Sequence, residues 1–275
     1  MSIVFLNKKG DCAVKIVALL ENTATRSDAK VEHGLSLDVE TGVHRILFDM
    51  GQTDLFAQNA EAFGIDLSQV DVAVVSHGHY DHGGGLATFL EINDHAPVYV
   101  HRDAFLPHYN GVGKFIGLDP ALRLHPRIRL TEDRAEPCEG LTLMTCNAFE
   151  RTGDLGHFGL TERVGEVFIP DDFRHEQYLL IREEGREGTK RVLLSGCSHK
   201  GITDILEWFS PDVLVGGFHV SKMPLAEKLS GVAKQLNAHK TRFYTCHCTG
   251  TDQYAFLQAR MERLSYLSCG ETITI

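Results

Sequence analysis

The chain has 275 residues, 43% of them hydrophobic, which is enough to bury a sizeable core and lies near the upper size for one domain. A formal net charge of -10 argues against a nucleic-acid backbone or an anionic membrane surface as the main partner. Apolar runs fall far short of the roughly 20 residues that span a bilayer, and seven cysteines without framework spacing read as reduced thiols, so a soluble cytoplasmic protein is expected.

Runs at 14–20, 35–40 and 45–48 are apolar or alternating and are separated by Gly, Asn and Asp, which predicts a strand-rich meander. Helical spacing follows at 54–63, a buried strand at 72–75, a helix at 85–92 and a strand at 97–100, so the pattern passes into β-α alternation. From about 105 to 170 regular periodicity fades, broken by Gly111, Gly113, Gly117, Pro120, Pro126 and Pro137, and this stretch is read as an insertion over a site. Strands are expected at 141–145, 178–181, 192–194, 213–215 and 243–245, and helices at 202–209, 225–236 and 253–264. Two mixed halves in this order predict an α/β fold, a four-layer αββα sandwich with two mixed β-sheets inside, as a single domain over 1–275.

The chemistry concentrates in VVSHGHYDHGGG, residues 74–85, where a buried strand runs into a loop with three imidazoles and a carboxylate. Open α/β sheets bind ligands at this edge of a strand. Alternate residues of an extended loop point the same way, so His77 and His79 can chelate one ion while Asp81 and His82 turn toward a neighbouring one. Imidazole with carboxylate suits Zn²⁺, with Fe²⁺ or Mn²⁺ also compatible. A histidine-rich capping loop is the bland alternative, and the density of HxHxDH between a buried strand and glycines disfavours it.

This motif resembles the HxHxDH signature of the metallo-β-lactamase fold superfamily, whose αββα sandwich matches the element order. The resemblance implies two divalent metal ions and further ligands from later strand ends: His175 for the first ion, Cys197 in the slot of a bridging carboxylate, and His247 for the second ion. It also implies that Asp49 supports the histidine loop from behind. Asp81 and His199 are the candidate catalytic residues, and His219, Lys200 and Thr249 the candidate substrate contacts. Cys246 and Cys248, on either side of His247, are read as packing residues.

Longer phrases narrow the resemblance. Glu21-Asn22-Thr23, Glu32-His33-Gly34, Asp171-Asp172-Phe173, Gly196-Cys197-Ser198-His199, Gly216-Gly217-Phe218-His219 and Cys246-His247-Cys248-Thr249-Gly250 are similar to the branch named for 7,8-dihydropterin-6-ylmethyl-4-(β-D-ribofuranosyl)aminobenzene 5′-phosphate synthase. That implies a metal-dependent hydrolase-fold enzyme for a small, anionic, phosphorylated or pterin-like substrate. The alternatives are a pterin methyl diphosphate transferase that releases pyrophosphate, or a metal-containing sensor without turnover. No nucleic-acid or membrane partner is expected, and a homodimer is the assembly considered.

Overall fold

A computed structural model describes residues 13–153, 158–185 and 188–275. In chain order the first half runs β1 (Lys15–Leu20), β2 (Ser36–Glu40), β3 (Arg45–Phe48), α1 (Leu55–Ala62), β4 (Val72–Val75), α2 (Tyr80–Gly83), α3 (Leu86–Ile92), β5 (Val98–His101), β6 (His108–Asn110), β7 (Lys114–Phe115), β8 (Ile128–Thr131) and β9 (Arg134–Ala135). It continues with β10 (Leu141–Met144), β11 (Leu160–Val164), β12 (Val167–Pro170), β13 (Tyr178–Gly185), β14 (Gly188–Ser195), α4 (Ile202–Phe209), β15 (Val213–Gly216), α5 (Glu227–Asn237), β16 (Arg242–Thr245), α6 (Thr251–Gln258), β17 (Leu264–Tyr266) and β18 (Thr272–Thr274).

Two seven-stranded sheets form the centre, ordered β18-β1-β2-β3-β4-β5-β8 and β17-β16-β15-β14-β13-β10-β9. Each is mixed: β3 to β4 to β5 to β8 and β14 to β15 to β16 to β17 are parallel, the remaining pairs antiparallel. Parallel strands covered on both faces read as continuous apolar runs, and VAVV of β4 and VLVG of β15 are buried throughout. One apolar cluster lies between the sheets, around Val74, Leu179, Leu194 and Val215. A second joins the first sheet to α1 and α3 through Phe56 and Phe89, and a third joins the second sheet to α4, α5 and α6 through Ile205, Leu229 and Leu257. These are the four layers of the αββα sandwich.

The stretch 105–170 is more regular than its sequence suggests. β8 extends the first sheet, β9 and β10 extend the second, and β12-β11-β6-β7 form a separate four-stranded sheet. The small sheet rests on the main body through Ile116, Leu160 and Phe173, packed with Tyr80. Helix α6 stops at Gln258, where 253–264 was expected, and the chain then enters β17. Among the described residues no helix is long and apolar enough to cross a membrane.

Candidate metal centre

The loops that follow β4, β14, β15 and β16 open at one edge of the sandwich, and they carry His77 to His82, Cys197 to His199, His219 and His247. Behind them lies a hydrogen-bonded scaffold. Asp49 accepts from the Ser76 amide (2.7 Å), the Ser76 hydroxyl (2.8 Å) and His82 Nδ1 (2.7 Å). The Ser76 hydroxyl, having given its proton to Asp49, accepts from His77 Nδ1 at 2.8 Å. Both imidazoles therefore carry their proton on Nδ1 and present the Nε2 lone pair to the site. Gly196 is glycine for want of room: a Cβ there would lie 2.1 Å from Ser76 Oγ.

Two groups of donors converge. His77, His79 and His199 each bring a ring nitrogen within 4.8 Å of the others, with His77 Nε2 and His199 Nε2 3.3 Å apart. His82 Nε2 lies 3.1 Å from Cys197 Sγ and 3.2 Å from His247 Nε2, and Asp81 Oδ2 lies 3.4 Å from His247 Nε2. The buried Nε2 of His79 has no hydrogen-bond partner, an arrangement that costs stability unless a cation or water takes the lone pair. Burial, then the charge that neighbouring imidazoles would carry, holds His77, His79 and His199 well below the usual imidazole range, so their lone pairs are free. Burial opposes charge on His82, but Asp49 and Asp81 outweigh it and the shift is upward. Asp81 stays ionised: burial pushes its carboxyl up, and His82, His247 and His33 pull it well below the usual range. This donor set fits two divalent ions, three imidazoles for one, and imidazole, carboxylate and thiol for the other.

His175, expected beside His77 and His79, lies near them, its ring centroid 6.0 Å and 5.5 Å from theirs, but points its nitrogens away. Its Nδ1 accepts from the Gly78 amide at 2.9 Å and its Nε2 donates to Asp171 at 3.3 Å, so neither nitrogen is left for an ion. His199 occupies the place beside His77 and His79 instead. Its amide donates to Glu176 Oε1 (2.7 Å), and Phe173 stacks on its ring at 4.3 Å between centroids.

Two expected substrate contacts are likewise turned away from the opening. Lys200 is buried and donates from Nζ to the carbonyls of Thr145 (2.7 Å) and Glu176 (2.8 Å); burial lowers its pKa to about 8. Thr249 is buried, and its hydroxyl accepts from the Phe218 amide at 2.9 Å. His219 does face the opening, a cleft of ≈ 270 Å³ that it lines with His33, Asp81, Lys114, Lys222 and Cys248.

His33 is a site residue that spacing alone did not single out, although the Glu32-His33-Gly34 phrase contains it. Asn22 sets its tautomer. The Gly34 amide can only donate, so it fixes the Asn22 oxygen (3.2 Å), which also accepts from His247 Nδ1 (2.8 Å), while the Asn22 amide donates to His33 Nδ1 (3.2 Å). His33 Nε2 then donates to Asp81 at 3.2 Å. Glu21 completes this side by accepting from the His247 amide and the Tyr266 hydroxyl, each at 2.6 Å. Asp49, Ser198, His219 and His247 all have positive φ, between 49° and 61°, a region that non-glycine residues enter at a cost.

The comparisons agree with this architecture. The family model described as Metallo-beta-lactamase superfamily matches residues 34–162. An uncharacterized protein of Methanocaldococcus jannaschii is 27% identical over 246 residues, 86% of this chain and 90% of that one. From the same organism, 7,8-dihydropterin-6-methyl-4-(beta-D-ribofuranosyl)-aminobenzene-5'-phosphate synthase is 26% identical, covering 94% of this chain and 96% of its own. A crystal structure described as a metal-dependent hydrolase of the beta-lactamase superfamily superposes with TM-score 0.78 at 26% identity, over 95% of this chain and 99% of that one. The metallo-beta-lactamase fold protein YhfI from Bacillus subtilis shares the fold at TM-score 0.55 and 13% identity, over 96% of this chain and 100% of that one.

Proposed function

We propose that this chain, which has the metallo-β-lactamase fold and resembles that superfamily in sequence, is a metal-dependent hydrolase acting on a small anionic substrate through two zinc ions. The observation that carries the reading is the pair of convergent donor groups whose free lone pairs are set from behind by Asp49, Ser76 and Asn22. His77, His79 and His199 would hold one ion, and Asp81, His82, Cys197 and His247 the other. Bound divalent ions supply Lewis acidity, neutralising charge on substrate oxygens and making water acidic near neutral pH.

The chain's own residues do the rest. Asp81, ionised and hydrogen-bonded by His33, lines the cleft where its carboxylate can accept a hydrogen bond from a water or substrate group and orient it. Lys114 and Lys222 line the cleft, and Asp81 is the one carboxylate among the described residues that line it, so in a chain of net charge -10 this opening favours an anion. A phosphorylated or pterin-like compound fits that character. The name of the 26% identical relative favours a second reading, joining of a dihydropterin-6-ylmethyl unit to an aminobenzene ribose phosphate; with a diphosphate as the leaving group, pyrophosphate would be released. The free thiols of the described cysteines are in keeping with a cytoplasmic setting.

The test is turnover by zinc-loaded protein of phosphodiesters, lactones, thioesters and the pterin diphosphate with its arylamine partner. Wild type should turn over at least one, and His79→Ala should lose on the order of 100-fold or more. Pyrophosphate release from the pterin pair would select the transferase. Undiminished turnover by a metal-free His79→Ala protein would refute the metal-dependent reading.

A further inference from the structure

We propose that Cys248 is a metal ligand, so that the second ion is held by two sulfurs, Cys197 and Cys248, with His82 and His247. This rests on the two-ion reading above and revises it at one position, with Cys248 in place of Asp81 around the second ion. The ligand atoms of Cys197, His247 and Cys248 lie within 4.8 Å of one another, and all three residues are buried. With zinc-sulfur bonds near 2.3 Å, two sulfurs on one tetrahedral ion stand about 3.8 Å apart, so the pair needs little adjustment to share one.

Cys248 shares its surroundings with Cys197 and differs from the other buried cysteines. Cys246 sits in the apolar cluster between the sheets, Cys146 in the outer cluster under α4, and Cys269 donates to the Leu19 carbonyl at 3.2 Å. Cys248 belongs to none of the apolar clusters and lines the metal-bearing cleft, although only 6% of its surface is exposed. The turn His247–Thr249 after β16 sends Cys246 into the core and Cys248 toward the site. Its Sγ accepts from the His219 amide at 3.3 Å, the kind of contact that steadies a thiolate. Space is reserved for that sulfur: a Cβ on Gly217 would lie 2.3 Å from it.

Two thiolates make the second position soft. It selects zinc, or iron, over manganese and magnesium, which prefer oxygen. A shell of two sulfurs and two imidazoles is also full for a tetrahedral ion. Asp81, held by His33, would then stay on the substrate side, and His77, His79 and His199, with three imidazoles, would hold the ion that supplies Lewis acidity to the substrate.

The test counts sulfur on the metal in unmodified protein. Zinc-edge X-ray absorption of wild type loaded with two ions per chain should give an average of one sulfur per ion; half a sulfur per ion leaves Cys197 alone and overturns the proposal. Cobalt-loaded variants give the assignment: the thiolate-to-cobalt absorption per chain should fall about twofold in Cys248→Ser and again in Cys197→Ser, and vanish in the double variant. A wild-type spectrum in Cys248→Ser overturns it even if that variant is active. Two sulfurs with no turnover on any substrate would sink the enzymatic reading and leave this one standing.

Discussion

Asn22 and Asp49 touch no ion in the proposed centre, yet they decide which nitrogen each of His247, His82 and, through Ser76, His77 leaves free. Replacing Asp49 with Asn removes one of the acceptor pair that holds Ser76 and His82. Metal affinity should fall roughly 10–100-fold, measured by competition with a chromophoric chelator; an unchanged affinity would reduce Asp49 to a turn residue. The paired substitutions His199→Ala and His175→Ala separate the two histidines. The first should cost about one ion per chain, whereas the second should retain metal and lower Tm by releasing the Gly78 and Asp171 contacts, which elemental analysis and a thermal melt would read. The HxHxDH loop was legible because its members are neighbours in the chain, and Cys197 and His247 because each follows a strand. His175 precedes a strand, as expected, but its Nδ1 is taken by the Gly78 amide, 97 residues away, and no local spacing encodes that contact. Lys200 misleads for the same reason: its carbonyl partner Thr145 is 55 residues away.

At the scale of elements, the sheet β12-β11-β6-β7 is the part least secured. It is tied to the body by a small apolar cluster, by the Tyr80 amide donating to the Ile116 carbonyl at 2.8 Å and by His175 Nε2 donating to Asp171 at 3.3 Å, and it leaves Phe115, Val164, Val167 and Ile169 exposed. Few buried apolar contacts mean low opening free energy. Amides of β6 and β11 should therefore exchange with solvent faster than those of β4 and β14, by on the order of 100-fold or more, and equal protection would make the small sheet part of the same cooperative unit. Because Asn110 and Lys114 of this sheet line the cleft, its opening would also admit substrate. The sequence hid this sheet because its strands are two to five residues long, and an alternation with period two cannot be recognised in so few positions. Most strands of the two main sheets, longer or continuously apolar, were readable; β8 and β9, lying in the stretch read as an insertion, and short β17 and β18 were not.

For the whole molecule, the dominant titration is that of imidazoles buried in neutral form. His175 is lowered to about 4, by burial and then by His108, and His77, His79 and His199 are lowered too. Below about pH 6.5 the unfolded chain protonates these groups and the folded one does not, so stability rises with pH across that window and falls as pH drops from about 6.5 toward 4. His175 alone accounts for about 3 kcal/mol over the full interval. His82, shifted upward, acts in the opposite sense but is one against four. The Tm of metal-free protein should thus decline from pH 7.5 to 5, with the zinc-loaded form higher throughout; a flat profile would mean that the imidazoles titrate alike in the folded and unfolded chain. One feature of this assembly bears on how the protein is made. Glu21 at the end of β1 holds the amide of His247, and β18 pairs with β1, so the first and last parts of the described chain close on each other at the site. A ribosome adding roughly 5–20 residues per second delivers the HxHxDH loop some ten to thirty seconds before His247. On the proposed two-ion reading, the nascent protein would for that interval offer passing metals only a half-built, unselective chelator, and the choice of ion would be made last, when the late loop arrives and His247 bonds to Glu21.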